Sequence, residues 1–357
     1  MQNYSTHLKS NRGYSILEVL VAMVIFMIVT GSIWGVLRTA QQGRSVVNEQ
    51  VQLAKNVRLG LNVIGRDAYN AGYGYPASST VLLPDNIIST RLGIPTDFNT
   101  LRDTVPPVIA GNNITLSTFN TTAGVRTDQV TFLFKDPTFN LVGVIDPGPP
   151  PNDRRYSQKL AINLASTTGG GVVELAGVGG NAACRINDIY ILTGTTGSTL
   201  GVATGLNGAT SIQFSNGDLL GFNQTAASGQ LNGITATSVY RVNMVTYFVT
   251  ADGILTRREF ANVLPAVASV DEPLVYNVEN FQIQYIMDSG AVTDNPSAGA
   301  DGVAGNGDDV EANLALVRQI RFTVSVRSVE NNSAGQPYRE TMTTTVSTRN
   351  LGYEATS

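Results

Sequence analysis

The chain has 357 residues, 42% of them apolar, which is enough material for a substantial core. Only 14% are charged, against about 25% in a typical soluble domain. The net charge of −4 gives no basic footprint for nucleic acid, and one histidine (His7) and one cysteine (Cys184) leave little for nucleophilic or metal chemistry.

Residues 1–13 read MQNYSTHLKSNRG and carry Lys9 and Arg12 with no acid. Residues 14–37 are an apolar run of 24 residues whose only charge is Glu18. As a helix this run spans roughly 36 Å, enough to cross a bilayer core. Trp34 near its far end suits either an interfacial anchor or a packing position. A secretory signal has a shorter apolar core followed by a small-residue cleavage site, and no Ala-x-Ala site follows here. A plain anchor explains the length but not the acid, which costs about 2.5–3.5 kcal/mol inside a spanning helix. Arg38, Arg44, Lys55 and Arg58 make the far flank basic as well, so charge counting does not fix the orientation.

The string Arg12-Gly13-Tyr14-Ser15-Ile16-Leu17-Glu18 resembles the class III leader of type IV prepilins and type II secretion pseudopilins. Tyr14 stands where Phe is commoner. The resemblance implies that a prepilin peptidase cuts after Gly13, that Tyr14 becomes the N-methylated first residue, and that Glu18 is the acid used in assembly. In an apolar filament core Glu18 needs a cation, and the N-terminal amine of a neighbouring subunit supplies one. Cleavage would remove His7, leaving no histidine for Ser-His-Asp catalysis or His-ligated zinc. It would leave 21 basic against 27 acidic residues, a net charge of −6.

Beyond the apolar run, Val47, Val51, Ala54, Val57, Leu61, Ile64 and Ala68 recur at spacings of three or four. They predict an amphipathic helix over 38–75, ended by Gly72, Gly74 and Pro76, with its apolar stripe packed under a sheet. Residues 76–127 carry little periodicity and read as loops with short strands. Strands are predicted at 128–134, 160–163, 172–175, 188–192 and 211–214. The proline-rich stretch 146–151 cannot be sheet interior and is a loop or a boundary between two β subdomains. Strands at 240–249 and 254–260 flank the turn signal Asp252-Gly253. Long strand-like stretches follow at 274–287, 316–329 and 338–349. The expected fold is α+β: a long helix, half in the membrane or filament core, and a mostly antiparallel β head over 76–357.

The segments 278–290, 317–328 and 341–350 resemble, in order, the C-terminal part of PilW-family minor pilins. That resemblance implies a single-pass inner-membrane protein with a periplasmic head, which later joins a surface pilus. Its implied partners are other pilins, the prepilin peptidase and the inner-membrane assembly platform, and its implied role is structural rather than enzymatic. J-type pseudopilins of type II secretion are close alternatives, and an adhesive head carried on a pilin stalk is a third.

Four remaining features of the sequence bear on chemistry. Asp294, Asp301, Asn306, Asp308, Asp309 and Glu311 place oxygen donors on a glycine-rich loop, which reads either as a Ca²⁺ loop or as a solvated turn. The spacing does not match an EF-hand. Arg257, Arg258, Arg318 and Arg321 read either as a DNA contact or as strand-edge or salt-bridged arginines, and the second reading is favoured because Glu259 and the net acidic head break up any continuous phosphate-binding face. Gly169-Gly170-Gly171 lacks the Lys-Ser/Thr of a phosphate loop. Cys184 reads as a small buried apolar residue.

Overall fold

The computed structural model describes residues 15–76, 81–95, 102–117, 126–136, 162–167, 170–175, 184–194, 197–209, 211–223, 236–261, 267–299, 302, 309–331, 335–348 and 350–351. The chain divides into two compact units, residues 1–52 and 53–357. Helix α1 (Ile16–Asn70) begins in the first and ends in the second.

In the second unit α1 is amphipathic. Leu53, Val57, Leu61, Ile64 and Ala68 are buried at helical spacing, and Ala71 follows just past the helix end. Val47 and Val51, which the spacing places on the same stripe, belong to the first unit and are exposed. The helix stops where Gly72 and Gly74 take positive φ values of 78° and 66°, conformations that glycine adopts without strain. The Gly72 amide donates to the Leu133 carbonyl at 2.9 Å, which ties the helix end to the sheet.

Seventeen strands follow among the described residues. The first group is β1 (Val81–Pro84), β2 (Arg102–Thr104), β3 (Val108–Thr115) and β4 (Thr127–Lys135), with a π turn at Ile88–Leu92. Next come β5 (Ile162–Thr167), β6 (Gly170–Leu175), β7 (Ile189–Gly194), β8 (Gly197–Val202), β9 (Gly205–Asn207) and β10 (Ser211–Ser215). The last group is β11 (Ala236–Val249), β12 (Leu255–Phe260), β13 (Ser269–Val275), β14 (Val278–Met287), β15 (Val292–Thr293), β16 (Val317–Asn331) and β17 (Pro337–Ser347).

They form one nine-stranded and two four-stranded sheets, antiparallel except where β1 meets β8. The long strand β11 organises the large sheet. Its first half pairs with β7 over 236–241, and its second half pairs with β4 over 242–247 and β12 over 244–249. The small sheets run β5-β6-β10-β9 and β15-β14-β16-β17. The molecule is therefore a long N-terminal helix followed by a mostly antiparallel β head, an α+β fold consistent with a pilin-like chain.

Alternation along β4 and β11 builds two cores. Val130, Phe132 and Phe134 of β4, with Val245, Tyr247 and Val249 of β11, face the helix row and the inner face of β14 and β16. Leu133, Val242 and Met244 face the other way, onto β1, β7, β8 and the π turn. One sheet thus serves as the wall between both cores, which is why β4 is buried on both faces. Phe322 of β16 centres the first core, edge-on to Phe132 and stacked on Phe281.

The stretch 274–287, predicted as one strand, is two. Asn277 takes a φ of 60°, breaking β13 from β14. Such left-handed backbone suits Asn and ends a ladder. The proline-rich stretch 146–151 lies outside the described residues.

Candidate membrane and assembly segment

Within the first unit, the stretch of α1 from Ile16 to Leu37 is apolar on every side apart from Glu18 and a few hydroxyls. Ile16–Gln41 is long and apolar enough to cross a membrane, by length and composition. Its large apolar residues from Ile16 to Leu37, Phe26 and Trp34 among them, are exposed. Two hydroxyls in the run are satisfied locally: Ser32 Oγ donates to the Ile28 carbonyl at 2.8 Å and Thr39 Oγ1 to the Gly35 carbonyl at 3.0 Å. That back-bonding lets hydroxyls sit in an apolar environment without an unpaired donor. Gly31 and Gly35, one turn apart, leave the backbone bare, with nothing within 4 Å of where a Cβ would stand.

Glu18 lies in the first turn of α1 and is exposed. Ser15 precedes the helix, and its Oγ accepts from the Leu17 amide at 3.3 Å, an N-cap arrangement. An acid in the first turn also complements the positive end of the helix dipole. Gly13 and Tyr14 lie outside the described residues.

The head holds its part of α1 through a buried acid that sequence reasoning missed. Asp67 is 2% exposed. It accepts from Tyr247 Oη of β11 at 2.6 Å, from Arg257 Nε of β12 at 3.0 Å and from Arg66 Nε at 3.2 Å. Burial pulls the Arg257 titration down, but Asp67 beside it more than compensates, so it rises. Burial, reinforced by Asp67, pushes the Tyr247 phenol up. A second network joins Arg241 of β11, 1% exposed, to Asp136 and Asp188, with Nη1 2.9 Å from Asp188. Cys184 lies near it, buried, with its thiol pushed up to about 12 chiefly by burial. Such a thiol is unreactive, in line with the reading of Cys184 as packing.

The arginines singled out in the sequence are engaged within the head. Arg257 also meets Glu259 at 3.0 Å, and Arg258 meets Asp271 at 2.6 Å. Arg318 donates to the Ala315 and Leu351 carbonyls, and Arg321 to Gln284 Oε1. In the acidic loop Asp294 is exposed and Asp309 half-buried, while Asp301, Asn306 and Asp308 lie outside the described residues. Among the described residues no three acidic, histidine or cysteine side chains gather as a metal site.

The prokaryotic N-terminal methylation motif is matched over residues 8–34. No curated protein matches the chain. The motif and the apolar helix together mark a type IV prepilin-like leader, which supports a pilin- or pseudopilin-like protein. This leader carries with it processing by a prepilin peptidase and association with pilus or secretion components, and the apolar helix fits membrane anchoring.

Proposed function

We propose that the chain is a minor pilin of the PilW type that takes part in type IV pilus assembly. The observation that carries this reading is the methylation motif over residues 8–34 leading into a long apolar helix on a large β head. In this reading the peptidase cuts between Gly13 and Tyr14, Tyr14 is methylated, and the chain stays in the inner membrane with its head in the periplasm until it joins the pilus. Helices of neighbouring subunits dock by burying the apolar surface of Ile16–Gln41. The bare backbone at Gly31 and Gly35 permits close helix–helix approach. Glu18 pairs with a neighbour's N-terminal amine and so fixes the axial register, because an unpaired acid in that environment is strongly disfavoured.

Glu18→Ala should leave cleavage after Gly13 intact, as read by N-terminal sequencing. It should reduce co-purification of partner pilins from membranes several-fold. Undiminished co-purification by the processed mutant would contradict the pairing. The same leader serves type II secretion pseudopilins, and the gene-deletion phenotype separates the two.

A further inference from the structure

The β15-β14-β16-β17 sheet ends on β17, which has 11 residues and pairs with β16 alone among the described residues. The register runs unbroken from Gln319 opposite Ser347 to Arg327 opposite Arg339, and the Thr348 amide donates to the Arg318 carbonyl at 2.9 Å. In an antiparallel ladder alternate residues bond the same neighbour, so the even-numbered residues of β17 face β16. The amides and carbonyls of Arg339, Thr341, Thr343, Thr345 and Ser347 point to the open side, and these five residues are exposed. Among the described residues no backbone or side-chain group meets that row.

Short length, bulges, charge and proline are the devices that keep an edge strand from pairing with another chain. β2, β9 and β15 have only two or three residues. β3 breaks register between Gly111 and Thr115, and β13 carries Asp271, Glu272 and Pro273. From Thr341 to Ser347, β17 reads TMTTTVS and has none of these guards. Its two faces differ. Tyr338, Met342 and Val346 pack on the first core but stay only half-buried at its margin. On the other face Thr343 meets Thr323 at 3.0 Å and Thr341 meets Ser325 at 2.8 Å, hydroxyl to hydroxyl.

We propose that the open edge of β17 takes up an extended segment of a neighbouring pilin, which joins this sheet as a fifth strand. The proposal rests on the pilin reading above. An open row of amides and carbonyls is matched group for group only by another strand, and side chains on its two faces set which strand fits. The incoming segment is apolar on the face beside Tyr338, Met342 and Val346, which it covers. It carries small or hydroxylated side chains on the other face, extending the Thr343–Thr323 and Thr341–Ser325 pairs by one strand. Opposite 341–347 it is uncharged, as that stretch is. A second copy of this chain does not fit. Antiparallel pairing of two β17 strands requires a two-fold axis normal to the sheet. That axis reverses the part of α1 packed on the sheet at Gly65 and Val346, whereas chains anchored through this helix in one membrane run the same way.

The test uses the full chain, tagged and solubilised from host membranes, with co-purified proteins that carry the same leader counted by mass spectrometry. Thr343→Pro removes one outward amide and leaves the bonds to β16 in place, a substitution that edge strands accept. It should leave the urea midpoint of the head near that of the wild type and lower the yield of co-purified pilins several-fold. Equal yields from a wild type that does capture pilins would overturn the docking edge alone. A wild type that captures none would overturn the pilin reading and the docking edge together. Should Thr343→Pro fail to fold, amide hydrogen exchange of the wild type decides. Exchange at Thr341, Thr343 and Thr345 slowed about tenfold or more in the co-purified assembly, relative to the chain alone, supports the added strand. Unchanged exchange at these three amides overturns it.

Discussion

Buried acids in the head take two kinds of partner, and the difference decides what their removal does. Asp67 gathers Tyr247, Arg257 and Arg66 around one carboxylate on α1. Asp67→Ala would leave the Arg257 guanidinium and the Tyr247 hydroxyl without their shared acceptor. Breaking a buried pair from one side costs about 3–5 kcal/mol, so the urea midpoint should fall markedly. Arg241→Ala should be at least as damaging, because Asp136 and Asp188 both lose the same cation. Asp128→Ala acts differently, since it leaves the Asn113 and Ile283 amides without their acceptor, at about 1–3 kcal/mol for each buried donor. None of these partnerships was legible in the chain. Tyr247 and Asp67 are 180 residues apart, and an acid in an amphipathic helix reads by default as a solvated charge. The reading of Arg257 and Arg258 as salt-bridged strand residues needed only the nearby acids, and the geometry bears it out.

At the scale of elements, the α1 row from Val57 to Ala68 was legible because one face is buried and the other solvated, which imprints a period near 3.6 on the sequence. The close approach on that face was not. A Cβ on Gly60 would clash with Val275 Cγ2 of β13, and one on Gly65 would fall 3.4 Å from Val346 Cγ2 of β17. Gly60→Leu should therefore overpack the joint and lower head stability by about 1–3 kcal/mol, measured by urea unfolding. Gly43→Leu, with open space around it, should leave the urea midpoint of the head unchanged. Strands in the sheet interior were read unevenly. β4, β11 and β16 announce themselves through β-branched and aromatic residues. β8 reads GSTLGV and is buried along almost its whole length, so no polar alternation marks it. β13 and β14 merged in the sequence because nothing in Tyr276-Asn277 forces a turn until the φ of Asn277 is seen. Asp252-Gly253 was legible because the turn needs positive φ, and Gly253 has 74°.

Over the whole molecule, the division of labour follows composition. The leader and apolar run hold Glu18 as their one acid, and the exposed apolar surface from Ile16 to Leu37 calls for a membrane or other helices. The head carries two cores on one shared sheet and engages the arginines that might have suggested nucleic acid. The class of protein was legible in about two dozen residues, because the leader has to present a peptidase site, an apolar helix and one acid in fixed order. Which machine it serves was not, since pilus and secretion systems use the same leader. The most direct test of the minor-pilin account is to delete the gene, count surface pili by electron microscopy, and profile exported protein in the same strain. The account predicts loss of pili with secretion unchanged. Normal pili with exported enzymes trapped in the periplasm would contradict it and assign the chain to a type II pseudopilus.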